Sequence, residues 1–262
     1  MTPQAYVADY LGQMFAVVEA EVRKLRHDPI DLFTRIVQPA LWLLIFGQVF
    51  SRIREIPTGG VSYRDFLAPG ILAQSVLFIA IFYGISTIWE RDLGILAMYL
   101  VSPAPRSALV LGKSLAAGVR ALAQASMVYV LALILGIHLK HAPAALGAVV
   151  LMIVLSAAIF ACFSMIIACI VKTRERFMGI NQVITMPLFF ASSAIYPIAM
   201  MPPWLRVLAS LNPLTYQVDA LRTLMLPGFQ TTFGLVYDFS LQFVVLVVLV
   251  AVADRLYPTI LE

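Results

Sequence analysis

Long, nearly uninterrupted apolar runs separated by short polar segments dominate the chain, at about residues 30–50, 66–89, 114–137, 144–171, 177–194 and 235–253. Each approaches the ~20 residues that an α-helix needs to cross a hydrocarbon core of ~30 Å. Alternating-polarity segments of the kind found in outer-membrane barrels are absent, so the runs predict six transmembrane helices. Ahead of them, residues 6–26 place Val7, Leu11, Met14, Val18, Val22 and Leu25 on one face, with Asp9, Gln13, Glu19, Arg23 and Arg26 mostly on the other. That pattern predicts an amphipathic helix in the membrane interface, with a partner-binding or coiled-coil helix as its rival. His27, Asp28 and Pro29 interrupt it, dividing the chain into an interfacial segment, 1–28, and a six-span domain, 29–262.

Two segments break the apolar pattern. Residues 90–113, between spans 2 and 3, are charged and carry Pro103 and Pro105. Leu93, Leu96, Ala97 and Leu100 recur at helical spacing, which predicts a short helix beginning with Glu90, Arg91 and Asp92 and stopped by the prolines. Such a helix can act as a lever at one membrane face. The second segment, about 195–226, precedes the last span. Trp204, Leu205, Leu208 and Leu211 share a face after Pro202 and Pro203, and Asn212 is placed to cap a second helix with Pro213 at its first position. Two short, partly apolar helices here predict a re-entrant or interfacial hairpin on the outer face, buried against protein, with an ordered surface loop as the alternative.

Composition agrees with an integral membrane protein: 61% of the 262 residues are hydrophobic and 12% charged, and the mean hydropathy is +0.93. The net charge of +4 comes without a basic patch interleaved with aromatics, so no nucleic acid is expected. Lys and Arg concentrate on the N-terminal segment, on 90–113 and on the KTRER loop at 172–176, which places these segments and both termini in the cytoplasm. Arg52, Arg54 and Arg64 in the first loop run against that bias.

The chemistry of catalysis is poorly represented. GKS at 112–114 lacks the first glycine of a phosphate-binding loop, since Ser107 stands there, and no strand precedes it. A metal pair from His138 and His141 is disfavoured, and no nucleophile elbow appears. The span centres hold almost no carboxylates, which argues against an ion-driven carrier; energy is expected to arrive through the cytoplasmic segments. Arg120, in span 3, is expected to snorkel or to pair with Glu90.

NPLTYQVDALR at 212–222 resembles the signature of type-2 ABC exporter permeases, and FLAPGILAQS through ERDLGILAMYLVSPAPRSALVLGK is similar to that family's second span and coupling segment. The resemblance covers nearly the whole chain. It implies an all-α integral membrane protein: six transmembrane helices, an N-terminal interfacial helix, a cytoplasmic coupling helix and a re-entrant hairpin. It further implies a permease subunit of an exporter in the bacterial cytoplasmic (inner) membrane, forming a homodimer within membrane lipid and binding two ATP-binding subunits. ATP and Mg then belong to those partners, with no cofactor or metal on this chain.

Coupling to the ATPase would fall to Glu90, Arg91, Asp92, Leu93, Leu96 and Leu100, with Lys172, Arg174 and Arg176 beside them. Asn212, Pro213, Leu214, Thr215, Tyr216, Asp219 and Arg222 form the structural signature, in which Asp219 and Arg222 are spaced to pair along one helix face. Trp42, Phe46, Phe189, Phe190 and Tyr196 are candidates to line an amphipathic pathway, against simple packing. The expected substrate is hydrophobic or amphipathic, such as a drug, lipid or glycolipid. Alternatives are a polysaccharide or lipid-linked glycan exporter, a membrane-embedded lipid-modifying enzyme and a purely structural subunit.

Overall fold

Buried and outward-facing helices are alike coated with apolar side chains, so which of them sit inside the bundle is decided by how closely they pack. The computed structural model describes residues 10, 12–20, 22–23, 34–50, 58–94, 106–171 and 173–256, and within these the protein is all α. Helix α1 (Val37–Phe50) carries a wider π-helical turn at Trp42–Phe46. Next come α2 (Tyr63–Tyr83), α3 (Ile85–Asp92), α4 (Arg106–Ile134), α5 (Pro143–Ile170), α6 (Arg174–Phe190), α7 (Pro203–Leu211), α8 (Pro213–Met225) and α9 (Leu235–Leu256). Four stretches are long and apolar enough to cross a membrane: α2 with α3, α4, α5 and α9. The other two expected spans fall on α1 and α6, which are shorter.

Helix α2 is apolar all round and is the buried centre, packed against α4, α5 and α8. Its start is fixed by Ser62, whose hydroxyl accepts the Asp65 amide at 3.2 Å. Lipid tails are as apolar as leucine, so burial of apolar area alone does not hold such helices together; close contact of small residues does. Ala116, Ala117, Ala121 and Ala125 give α4 a small-residue face, and Gly118 lies against Val154 of α5. Gly84, at the bend between α2 and α3, lets α5 approach so closely that an added Cβ would sit 2.1 Å from Ser164 Oγ. That hydroxyl donates to the Ile81 carbonyl next to the bend. Gly70 is as tight, with an added Cβ 2.1 Å from the Ala194 carbonyl oxygen. In contrast, α9 turns Val236, Phe243, Val244, Val247 and Val248 outward, as a lipid-facing helix must.

The chain ahead of α1 is helical at 12–20, with Met14 buried over Gly112 of α4 and Phe15 exposed. The two segments that break the apolar pattern differ from expectation in instructive ways. Glu90, Arg91 and Asp92 end the helix of span 2 rather than beginning a new one, because Gly94 (φ 73°) turns the chain into the left-handed region there. The far end of the expected lever, Arg106 to Lys113, is already part of α4. The two helices before the last span also part company. Helix α8 is buried, while α7 turns Trp204, Val207, Leu208 and Leu211 outward, the arrangement of an interfacial helix rather than of a buried one.

Candidate functional site

At one end of the bundle the last turn of α3 gathers the charges. Glu90 pairs with Lys113 across to α4, and Lys113 is only 3% exposed. The expected Glu90–Arg120 pair is therefore not formed; Arg120 lies two turns further along α4, with its guanidinium 5.5 Å from the Tyr83 ring centre. Lys113 meets Glu90 because it projects from α4 at the level where α3 ends. Asp92 bridges Arg91 at 2.9 Å and Arg174 of α6 at 2.8 Å, and Arg174 lies 5.7 Å from the Trp89 ring centre. Three elements are thus tied together at this end: α3, α4 and the start of α6. Just beyond the charges Leu93 is 72% exposed, an apolar side chain held out on a charged rim. Arg176 is exposed nearby on α6. Leu96, Leu100 and Lys172 lie outside the described residues.

The GKS tripeptide sits within the continuous helix α4, where Lys113 serves Glu90 and the Ser114 hydroxyl donates to the Val110 carbonyl at 2.7 Å. His138 faces Asp65, with Nδ1 3.6 Å from the carboxylate, rather than His141.

The opposite end is built by the 212–222 signature. Asn212 accepts the Leu214 amide at 3.0 Å, and its own amide group donates to the Leu188 carbonyl at 2.6 Å. One side chain both starts α8, with Pro213 at the first helical position, and fastens it to the end of α6. Tyr216 donates to the Ser210 carbonyl at 2.6 Å, tying α8 to α7, and Leu214 and Thr215 are buried beside it. The expected Asp219–Arg222 pair gives way to longer-range partners. Asp219 receives the hydroxyls of Thr231 and Thr232, each at 2.8 Å, and the amides of Thr232 and Phe233, which anchors the loop leading into α9.

Arg222, 3% exposed, donates to the carbonyls of Phe66 at 3.2 Å and Ala194 at 3.0 Å, and its guanidinium lies 3.5 Å from the Phe66 ring centre. The Tyr63 hydroxyl adds a bond to the Ile195 carbonyl at 3.1 Å. Gly70 permits this arrangement, since only a residue without Cβ leaves the Ala194 carbonyl where Arg222 reaches it. Asp219 and Arg222 together line a cavity of ≈ 420 Å³ with Ser193, Phe229 and Thr232.

The aromatic candidates are brought together, but not as one lining. Trp42 stacks on Phe46 at 4.3 Å and meets Phe189 edge-on at 5.8 Å, and Phe189 contacts Phe190 at 5.3 Å. Phe189 is fully buried and belongs to the core, whereas Phe46 and Phe190 are exposed. The Tyr196 hydroxyl is occupied by the Phe190 carbonyl. From Phe46 the rings continue through Phe50 and Tyr63 to Phe66, an aromatic file joining α1 to the Arg222 staple.

A family model described as ABC-2 type transporter matches residues 12–226. The chain belongs to the ABC-2 type transporter family. The match runs from the N-terminal helix to the end of α8, so both ends of the bundle described above fall inside this ABC-2 permease region. Among similar proteins is a putative transport permease, ycf38, of Cyanophora paradoxa, 28% identical over 82% of this chain and 74% of the relative. The inner membrane transport permease YadH of Escherichia coli (strain K12) is 27% identical over 79% of this chain and 82% of its own length. The daunorubicin resistance ABC transporter permease protein DrrB1 of Streptomyces coeruleorubidus is 25% identical over 76% of this chain and 70% of the relative. Membership of the ABC-2 permeases implies a transmembrane transport subunit that works with ATP-binding ABC subunits.

Proposed function

We propose that this chain is the membrane subunit of an ATP-driven exporter that moves a hydrophobic or amphipathic molecule out across a bacterial cytoplasmic membrane. The observation that carries this reading is the end of the bundle where Asp92 joins Arg91 and Arg174 while Leu93 stands exposed beyond them. A rigid, cross-tied charged platform with a protruding leucine is what a mechanical contact with another protein requires. The charges set the approach, and the desolvated leucine supplies affinity. Because Asp92 and Arg174 sit on different helices, a push there moves α3 and α6 together.

In this reading the platform faces the cytoplasm and takes an ATP-binding subunit. Two permease copies pair, each with its own ATPase, and ATP-driven closure of the ATPases shifts the α3 and α6 ends. The cross-tied 212–222 segment forms the outer end of the pathway. Export of an amphipathic cargo is supported by the aromatic file from Phe190 to Phe66, and by a relative named for daunorubicin resistance.

The test is transport by inverted membrane vesicles that carry the chain with its ATP-binding subunit. ATP-dependent uptake of fluorescent uncharged amphiphiles is expected, and D92A/R174A should abolish it while leaving both proteins in the membrane. Uptake by that variant at the unsubstituted rate would overturn the coupling role, and ATP-dependent extrusion from inverted vesicles would overturn the direction.

A further inference from the structure

Three glutamines from three different helices line one cavity that reaches the side of the bundle, where Gln38 is exposed. Gln38 of α1, Gln74 of α2 and Gln124 of α4 line a space of ≈ 190 Å³ together with Ser75, Phe78 and Phe82. Gln74 is 3% and Gln124 2% exposed, and the side-chain oxygen of each is buried without a hydrogen-bond partner. Gln74 lies eleven residues past Tyr63, about 16 Å along the helix axis at ~1.5 Å per residue, which is near the middle of the 30-residue stretch Tyr63–Asp92. A buried amide oxygen left open at that depth is costly, and it is sustained when the site serves a ligand.

The lining also says what the ligand must bring. The unpartnered buried oxygens are acceptors, so a ligand that satisfies them supplies O–H or N–H donors. The Ser75 hydroxyl, whose proton goes to the Ile71 carbonyl at 2.9 Å, adds a further acceptor. Among the described lining residues only Arg35 is charged; it is exposed at the rim and already has a partner of its own. A full charge on the ligand therefore finds no counter-ion among the described lining residues, whereas a neutral donor group finds acceptors. Phe78 and Phe82, one turn apart on α2 with ring centres 6.4 Å apart, continue the cavity as an apolar wall.

We infer that the cavity binds the neutral, hydroxyl- or amide-bearing head of an amphiphile, with its apolar chain lying along Phe78 and Phe82, and that this amphiphile is the cargo. The inference rests on the permease reading and narrows it. Cargo enters sideways from the bilayer into the space among α1, α2 and α4, and Gln74 and Gln124 exchange their open state for hydrogen bonds to it. Charged amphiphiles are disfavoured by desolvation, since no described lining residue repays the loss of water around a full charge.

The experiment uses the complex with its ATP-binding subunit in lipid nanodiscs, probed with dodecyl maltoside carrying a diazirine in the alkyl chain. The comparison probe is dodecyltrimethylammonium with the same diazirine; its head has a charge and no donor. Photolabelling mapped by mass spectrometry is expected on α1, α2 and α4 around the cavity with the maltoside. Q74M/Q124M, which keeps the side-chain volume and removes both open amides, is expected to reduce it about tenfold. The same variant should unfold at an equal or higher temperature, because it removes two unsatisfied buried groups. Undiminished labelling of Q74M/Q124M, or equal labelling by the ammonium probe, would overturn the assignment.

Trapping the complex with ATP and vanadate is expected to expel the maltoside. Labelling that vanadate leaves unchanged would mark a resident lipid and overturn the cargo assignment. The permease reading is scored separately by the presence of the ATP-binding subunit. An unlabelled chain that retains its partner refutes the cavity alone, whereas a labelled chain that never acquires a partner refutes the transport role.

Discussion

Arg222 shows how far a single side chain can be from what its local spacing suggests. Three residues from Asp219 on one helix, it is spaced for an ion pair; instead each group turns to backbone carbonyls, amides and hydroxyls contributed by other segments. The helix-spacing rule applies where solvent supplies the alternative, and here tertiary partners are stronger competitors. Replacing Arg222 with methionine leaves the Phe66 and Ala194 carbonyls without their donor, a loss on the order of 2 kcal/mol. R222M is expected to lower the unfolding temperature in detergent by several degrees. R222K, which keeps the charge but not the forked geometry, should fall between the two.

Glu90 and Lys113 carry the same lesson, since their 23-residue separation hid a partner that sits nearer than Arg120. E90Q leaves the Lys113 ammonium buried without its carboxylate, at a cost on the order of 3 kcal/mol. The reversed pair E90K/K113E should recover part of it in the same melting assay, and no recovery would show that the contact is incidental. The glutamine cavity was the least visible feature in the sequence. Gln38, Gln74 and Gln124 lie in three separate apolar runs, and only the packing of three helices unites them. The one available signal was the rule that a polar group at mid-membrane depth needs a reason.

Among the elements, those decided by local chemistry were readable. The Asn212–Pro213 start of α8 follows from capping preference alone, and the apolar runs locate α2, α4, α5 and α9. Ends set by tertiary or backbone geometry were not. Gly94, in its left-handed conformation, ends α3 after the charges, and α4 already runs through Lys113, whose buried ammonium is held by Glu90. The close approaches at Gly70 and Gly84 also escape a pattern reading, and they make contrasting tests. At Gly84 an added Cβ meets the Ser164 side chain first, so the damage from G84A should be partly relieved in G84A/S164A, with a favourable coupling in the double-mutant cycle. At Gly70 it meets the Ala194 backbone, so G70A should destabilise the Arg222 staple, and no side-chain truncation should rescue it. Equal melting temperatures for G70A and the unsubstituted protein would show that this contact relaxes freely.

At the scale of the molecule, the bundle has a cross-tied charged end and a cross-tied opposite end, joined by a central helix, α2, that takes part in both through Phe66 and, by way of α3, Asp92. This continuity gives a push on the α3 end a rigid path to the Arg222 staple. The platform around Leu93 is the proposed docking site of an ATP-binding subunit. Its most direct test is co-purification of the tagged chain with that subunit in mild detergent, comparing the unsubstituted protein with L93D. Leu93 is exposed, so the substitution spares the fold. A stoichiometric ATPase is expected with the unsubstituted chain and a loss of about tenfold or more with L93D, at unchanged melting temperature. An ATPase retained equally by L93D would contradict it.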